Sequence, residues 1–407
     1  MTTLADIVRD EGLEHHVKAD RVAQALFGQP DRGVGEATAF FRSARDGHEA
    51  RYPAAYLGLL ADVADAKRRL VELALAERRD LLDAVTLALR SVPEKTVEAV
   101  VRAYVEDPDE STYPTAFEAA LFFPQLVRRH RGRIDDDDLA LAMLPGSDDT
   151  VVDELERRYR DRRDPDTLRA LSKIRTDRAL SALTDLRDAV PDTDRESLDL
   201  YLESSGVFPD TQLASVYFHA FRGFVVPRDE SPHAMGRGFD ASRPVCPICD
   251  TPTTRILSLE PEPLELDLRA APSFFWFSCD HEALEFVYVS FAGAEPEGLM
   301  VPMAAGEPDA PIVPDAALLL EEHPNQHGYG IEVGSGFALH QVGGFPPWTE
   351  LDRHPACPTC GQSMRFLAAV DSGETVLGSM RFTGLLYGFW CDGCAVSCTT
   401  WQNDALF

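Results

Sequence analysis

Apolar positions in the first half of the chain recur with a helical period. Val97, Val100, Val101, Tyr104 and Val105 fall at i, i+3, i+4, i+7 and i+8, which predicts one buried helix face. Leu81, Val85 and Leu89 repeat the pattern just upstream, and Pro93, which cannot continue a helix, separates the two segments. Leu168, Leu171 and Ile174 form a further apolar face. Thr176 and Asp177 then supply helix-start chemistry for a segment that turns Leu180, Leu183, Leu186 and Val190 inward. The run Asp135 to Asp138 precedes Leu139, Leu141 and Met143 and reads as a solvated helix N-terminus, favoured by the macrodipole.

Beyond about residue 205 the period shortens and proline, glycine and aromatics rise. Phe274 to Phe277, Glu285 to Phe291, Met364 to Val370 and Leu385 to Trp390 read as strands. Ala292 to Pro314 reads as a loop between sub-modules, and Pro227 to Pro244 as a linker or rim loop. The expected architecture is α+β. An all-α helical-repeat solenoid over residues 1–205 precedes a β-rich domain over 206–407, with zinc-ribbon-like modules at about 240–295 and 325–407.

The cysteines sharpen this picture. Cys246-Pro247-Ile248-Cys249 and Cys357-Pro358-Thr359-Cys360 are turns that present two thiolates to one tetrahedral ion. For the second turn, Cys391-Asp392-Gly393-Cys394 supplies the other pair, with Gly393 suited to the tight backbone. For the first, Cys279-Asp280-His281 follows, and the expected ligands are Cys246, Cys249, Cys279 and His281. Glu282, His233 or the absence of a metal are the alternatives. Setting Trp276 to Asp280 opposite Gly388 to Asp392 suggests an internal duplication, with Glu282 against Cys394. Two zinc ions are therefore expected. Cys398 is left over in a closing strand, as a buried small hydrophobe.

The formal charge of −29 is unevenly spread. Residues 201–407 carry 27 acidic side chains against nine basic ones, all arginine. Such a surface repels phosphate backbones, so nucleic-acid binding through the ribbons is disfavoured and a basic protein partner is favoured. The N-terminal residues lack signal-peptide character, and no apolar run nears the roughly 20 residues that span a bilayer. A cytoplasmic protein without membrane contact is the expectation, and reduced thiols there point to metal before disulfides. Phosphate-binding glycine loops are absent, and His323, His327, His340 and His354 are too loosely spaced to form a site.

Two resemblances add to this reading. Leu168 to Val190 resembles a HEAT-type helical repeat. Leu339-His340-Gln341-Val342-Gly343-Gly344-Phe345-Pro346, with Cys357 to Cys360, Met364 to Leu367, Trp390 to Cys394 and Trp401-Gln402, resembles the YwqG-like family of uncharacterised bacterial proteins. That resemblance covers roughly residues 325–403 and implies a largely β fold with internal pseudo-symmetry, and no established reaction. The expected function is that of a non-enzymatic, zinc-stabilised protein-binding adaptor, one version being an immunity-type protein that neutralises a basic partner. A zinc-dependent hydrolase built on Cys246, Cys249 and Cys279 is the alternative from another class.

Overall fold

The computed structural model describes residues 3–28, 30–191, 195–206, 219–279, 285–293, 295–326, 340–349 and 354–403. Fourteen α-helices form among the described residues, from Leu4–Val8 to Arg195–Ser204, and the strands follow them, so the fold is α+β. The helix Glu94–Glu106 buries Val97, Val100, Val101, Tyr104 and Val105, the face its period dictates. Thr176 caps Asp177–Leu186 by accepting from the Ala179 N–H at 3.4 Å, and Asp136 caps Asp137–Ala142 through the Leu139 N–H at 2.9 Å. Leu81, Val85 and Leu89 are also buried, but over a 3-10 turn, Arg79–Val85, followed by the short helix Thr86–Leu89. Gly58 of the neighbouring helix comes so close there that a Cβ would lie 2.4 Å from the Leu87 side chain.

The chain forms two compact units. One holds Met1–Ser147 and two short later segments, of which Glu374–Ser379 is described; the other holds most of the remainder. The helices from Asp149–Arg162 to Arg195–Ser204 therefore belong with the strands. Within that unit the Arg175 guanidinium lies 4.0 Å from the centroid of the Phe345 ring, and Glu203 accepts from the His354 backbone N–H at 2.6 Å.

The strands are β1 (Phe221–Val226), β2 (Ala234–Met235), β3 (Arg243–Pro244), β4 (Thr254–Ser258), β5 (Ser273–Trp276) and β6 (Phe286–Ser290). After them come β7 (Glu297–Gly298), β8 (Met303–Ala304), β9 (Ala316–Glu322), β10 (Gln341–Val342) and β11 (Arg365–Asp371). β12 (Glu374–Thr375), β13 (Gly378–Ser379), β14 (Leu385–Cys391) and β15 (Val396–Gln402) complete them. Nine form an antiparallel sheet in the order β2-β9-β1-β10-β11-β14-β15-β6-β7. The β4–β5 hairpin lies on β15, where Ser397 Oγ donates to the Ser273 carbonyl at 2.9 Å. The stretch expected to be a linker, Pro227 to Pro244, instead contains β2 and β3 and buries His233 and Met235. The expected loop Ala292 to Pro314 likewise carries β7 and β8. Two-residue strands are too short to leave an alternating pattern, so nothing local announces them.

Gly388 of β14 packs under the buried Phe274 of β5, where an added Cβ would meet the ring at 2.8 Å. Gly388→Val should therefore cost about 1–3 kcal/mol, read as a lower urea midpoint. An unchanged midpoint would mean that β5 does not rest on β14.

Candidate metal centre

The two cysteine turns have the same hydrogen-bonded frame. In the first, the Cys246 N–H donates to the Thr251 carbonyl and the Asp250 N–H to the Cys246 carbonyl, both at 2.9 Å. In the second, the Cys357 N–H donates to the Gln362 carbonyl and the Gly361 N–H to the Cys357 carbonyl, both at 2.8 Å. Asp250 and Gly361 both take the left-handed conformation that closes such a turn, with φ of 57° and 74°. Each turn feeds a strand that pairs with its successor through the same irregularity. The register slips between Arg255 and Leu257 in β4 and between Phe366 and Ala368 in β11.

Two buried histidines extend the correspondence. His233 Nδ1 accepts from the Glu260 N–H and His340 Nδ1 from the Asp371 N–H, each at 3.2 Å. Three residues beyond each histidine, Gly236 and Gly343 take φ of 69° and 71°. The His233 carbonyl accepts from Leu318 of β9, and the His340 carbonyl from Gly223 of β1, both at 2.8 Å. The first strand of each copy thus pairs beside the second strand of the other, and β1 and β9 pair with each other. The unit is a duplication with exchanged strands. The sequence did carry a signal for it, the His-x-x-Gly spacing at His233 and His340, which lies outside the cysteine pattern.

Cys357, Cys360, Cys391 and Cys394 come together with their sulfurs all within 4.8 Å of one another, an arrangement that can hold one metal ion. Cys360 Sγ and Cys391 Sγ are 3.7 Å apart. The apolar cluster beneath them includes Tyr288, Trp348, Phe366 and Phe389. The turn carrying Cys391 and Cys394 is tied down from outside. The Arg269 N–H and the Trp390 indole both donate to Asp392, at 2.9 and 3.1 Å. Burial pushes the thiols of Cys391 and Cys394 up, while the Gln362 N–H holds Cys360 down. A cation held among the four sulfurs would supply the charge that favours their thiolate forms.

Cys246, Cys249 and Cys279 form a second group with sulfurs within 4.8 Å. The Thr251 hydroxyl, 3.1 Å from Cys249 Sγ, and the Thr251 N–H bring that thiol down to about 6. His281 and Glu282 lie outside the described residues. His233 is not part of this group, which among the described residues gathers only Cys246, Cys249 and Cys279. The strand register corrects the alignment expected from the two Cys-Asp dipeptides. Thr254 pairs with Trp276 as Arg365 pairs with Trp390, so Phe277 occupies the place of Cys391 and Cys279 follows two residues later. The third thiolate of the first site therefore comes from the turn after β5 instead of from the strand end. Cys398 is fully buried on β15, as expected. His323, His340 and His354 are buried with separate polar partners and make no common site among the described residues, and His327 lies outside them.

No protein-family model matches the chain, and no solved structure does. Over 75 residues the chain is 36% identical to the uncharacterised protein YpfL of Salmonella typhimurium. The match takes in 18% of this chain and 17% of that protein. No described helix is long and apolar enough to cross a membrane.

Cys394→Ser should remove one bound metal per chain and cost about 4 kcal/mol or more in unfolding, while Cys398→Ala leaves metal content unchanged. Emission spectrometry beside thermal unfolding reads both outcomes. Burial pulls His233 from its ordinary 6.5 to about 4. Between those values the unfolded chain binds a proton that the native state excludes, so stability falls as pH falls. His233→Gln should flatten that slope by up to about one proton in urea titrations from pH 6.5 to 4.5. Equal slopes in both proteins would show that His233 is not held neutral.

Proposed function

We propose that the chain is a non-enzymatic, zinc-stabilised binding protein whose partner is a basic protein. The observation that carries the metal part is the sulfur spacing in the group Cys357, Cys360, Cys391 and Cys394. Zinc–sulfur bonds of about 2.3 Å in a tetrahedron put sulfurs about 3.8 Å apart, and Cys360 and Cys391 stand at 3.7 Å. Four thiolates fill the coordination sphere and leave no position for substrate, which favours a structural ion. A second zinc fits Cys246, Cys249 and Cys279, with His281 as its proposed fourth ligand. The copied His-x-x-Gly frame and the cysteine turns agree with the internal pseudo-symmetry that the YwqG-like resemblance implies. The helical part is the HEAT-like scaffold of this reading.

The charge supports the choice of partner. From Arg269 to Arg353 the intervening chain holds thirteen acidic side chains and no lysine or arginine. That surface steers cationic proteins and repels nucleic acid. An immunity-type role, occupying the basic groove of a toxin in the cytoplasm, is one concrete form of it. Capture on the zinc-loaded protein from its native cell, at about 50 and 200 mM salt, should return a basic protein whose recovery falls with salt. Recovery of no basic protein at either salt would sink the reading.

The exposed Cys249 favours one second reading, a zinc hydrolase using the three-thiolate site. It requires that His281→Ala and Glu282→Gln abolish a hydrolytic activity without loss of fold.

A further inference from the structure

The first cysteine turn lies beside the most exposed apolar side chains of the described chain. Ile248, Met300 and Leu299 are 62%, 53% and 40% exposed, and no other large hydrophobic among the described residues stands out as they do. They come from two stretches of chain that run antiparallel. β3 pairs with β8 as Arg243 with Ala304 and Pro244 with Met303, and the Val245 N–H then donates to the Pro302 carbonyl at 2.9 Å. Beyond that bond both stretches turn at the same end of the pairing, through the cysteine turn 246–249 on one side and through the bend 299–301 between β7 and β8 on the other. Cys246 and Val301 meet in the apolar cluster underneath, with Phe275, Phe277 and Val289. The cysteine turn itself fixes Ile248 outward: its N–H donates to Cys246 Sγ at 3.4 Å while its side chain faces solvent.

The surroundings are acidic. Asp250, Glu295 and Glu297 are exposed on the same two stretches. The arginine at the base of the turn, Arg243, is buried and paired with Glu307 at 2.6 Å. Scattered single hydrophobics on a surface are ordinary, but three gathered on adjoining loops beside a cysteine turn mark a contact site.

We propose that Ile248, Leu299 and Met300, with the acidic residues around them, form the docking surface for a basic amphipathic helix of a partner protein. The apolar stripe of such a helix covers the three side chains, and its flanking lysines or arginines meet Asp250, Glu295 and Glu297. The proposal rests on the basic-partner reading above and adds where the partner docks and what secondary structure it offers. A metal ion in the first site would hold the turn that carries Ile248.

The test uses the full-length, zinc-loaded protein and isothermal titration at about 150 mM salt. One probe is a helical lysine/leucine peptide of roughly eighteen residues, and the control replaces every leucine by serine at equal charge. The leucine peptide should bind about tenfold tighter than the serine peptide, and Met300→Asp and Ile248→Asp should each remove about fivefold or more of that affinity. Circular dichroism and metal content verify that both variants remain folded and loaded. Equal affinity for the two peptides, or variants that bind like the wild type, would overturn the surface while leaving a basic partner standing. A protein that binds neither peptide overturns the basic-partner reading itself. Self-association that Met300→Asp abolishes, with no peptide competing, would assign the surface to a second copy and overturn the proposal as well.

Discussion

Two hydrogen bonds, Leu318 N–H to the His233 carbonyl and Gly223 N–H to the His340 carbonyl, lock each copy of the duplicated unit to the other. A two-residue strand such as β2 or β10 has too few ladder bonds to stand alone. Each gains its place because a longer strand from the other copy, β9 or β1, lies along it. Behind both, a buried histidine accepts a backbone N–H at the end of the bulged strand and closes the frame. The sheet, the packing of β5 on β15 and both cysteine turns are built outward from this exchange.

The two copies have diverged at their metal ends. In the second, β14 ends in Cys391, and the turn that follows brings in Cys394 to complete four sulfurs over an aromatic core. In the first, the equivalent of Cys391 is Phe277, which joins the apolar cluster around Cys246. Replacing a cysteine by an aromatic side chain exchanges a candidate ligand for apolar burial at the same spot, and the third cysteine moves two residues along to Cys279.

Charge and hydrophobicity then combine at that surface. Acidic side chains crowd the loops, while Arg243 and Arg255 are kept inside, where Arg243 pairs with Glu307. Solvent therefore sees negative charge around a small apolar patch. Under the function proposed above, long-range attraction would bring a cationic partner near, and desolvation of the patch would decide whether it stays.

Much of this was legible in the sequence wherever the determinant is local. The helix faces at Val97 to Val105 and Asp177 to Leu186, the caps at Thr176 and Asp136, and the four-cysteine pattern all follow from spacing within a few residues. Cysteines three positions apart on a tight turn can both reach one ion whatever surrounds them, so Cys357, Cys360, Cys391 and Cys394 could be grouped before any fold was known. Tertiary structure alone decided that helices Asp149–Arg162 to Arg195–Ser204 belong with the sheet, that β1 and β9 change places, and that Trp276 aligns with Trp390. Those outcomes depend on which strand edges meet across about a hundred residues of chain, and a one-residue slip in register reassigns every side chain to the opposite face. Spacing along the chain determines what a turn can bind; only the pairing of distant edges decides which turns face each other and which side chains are left to meet solvent.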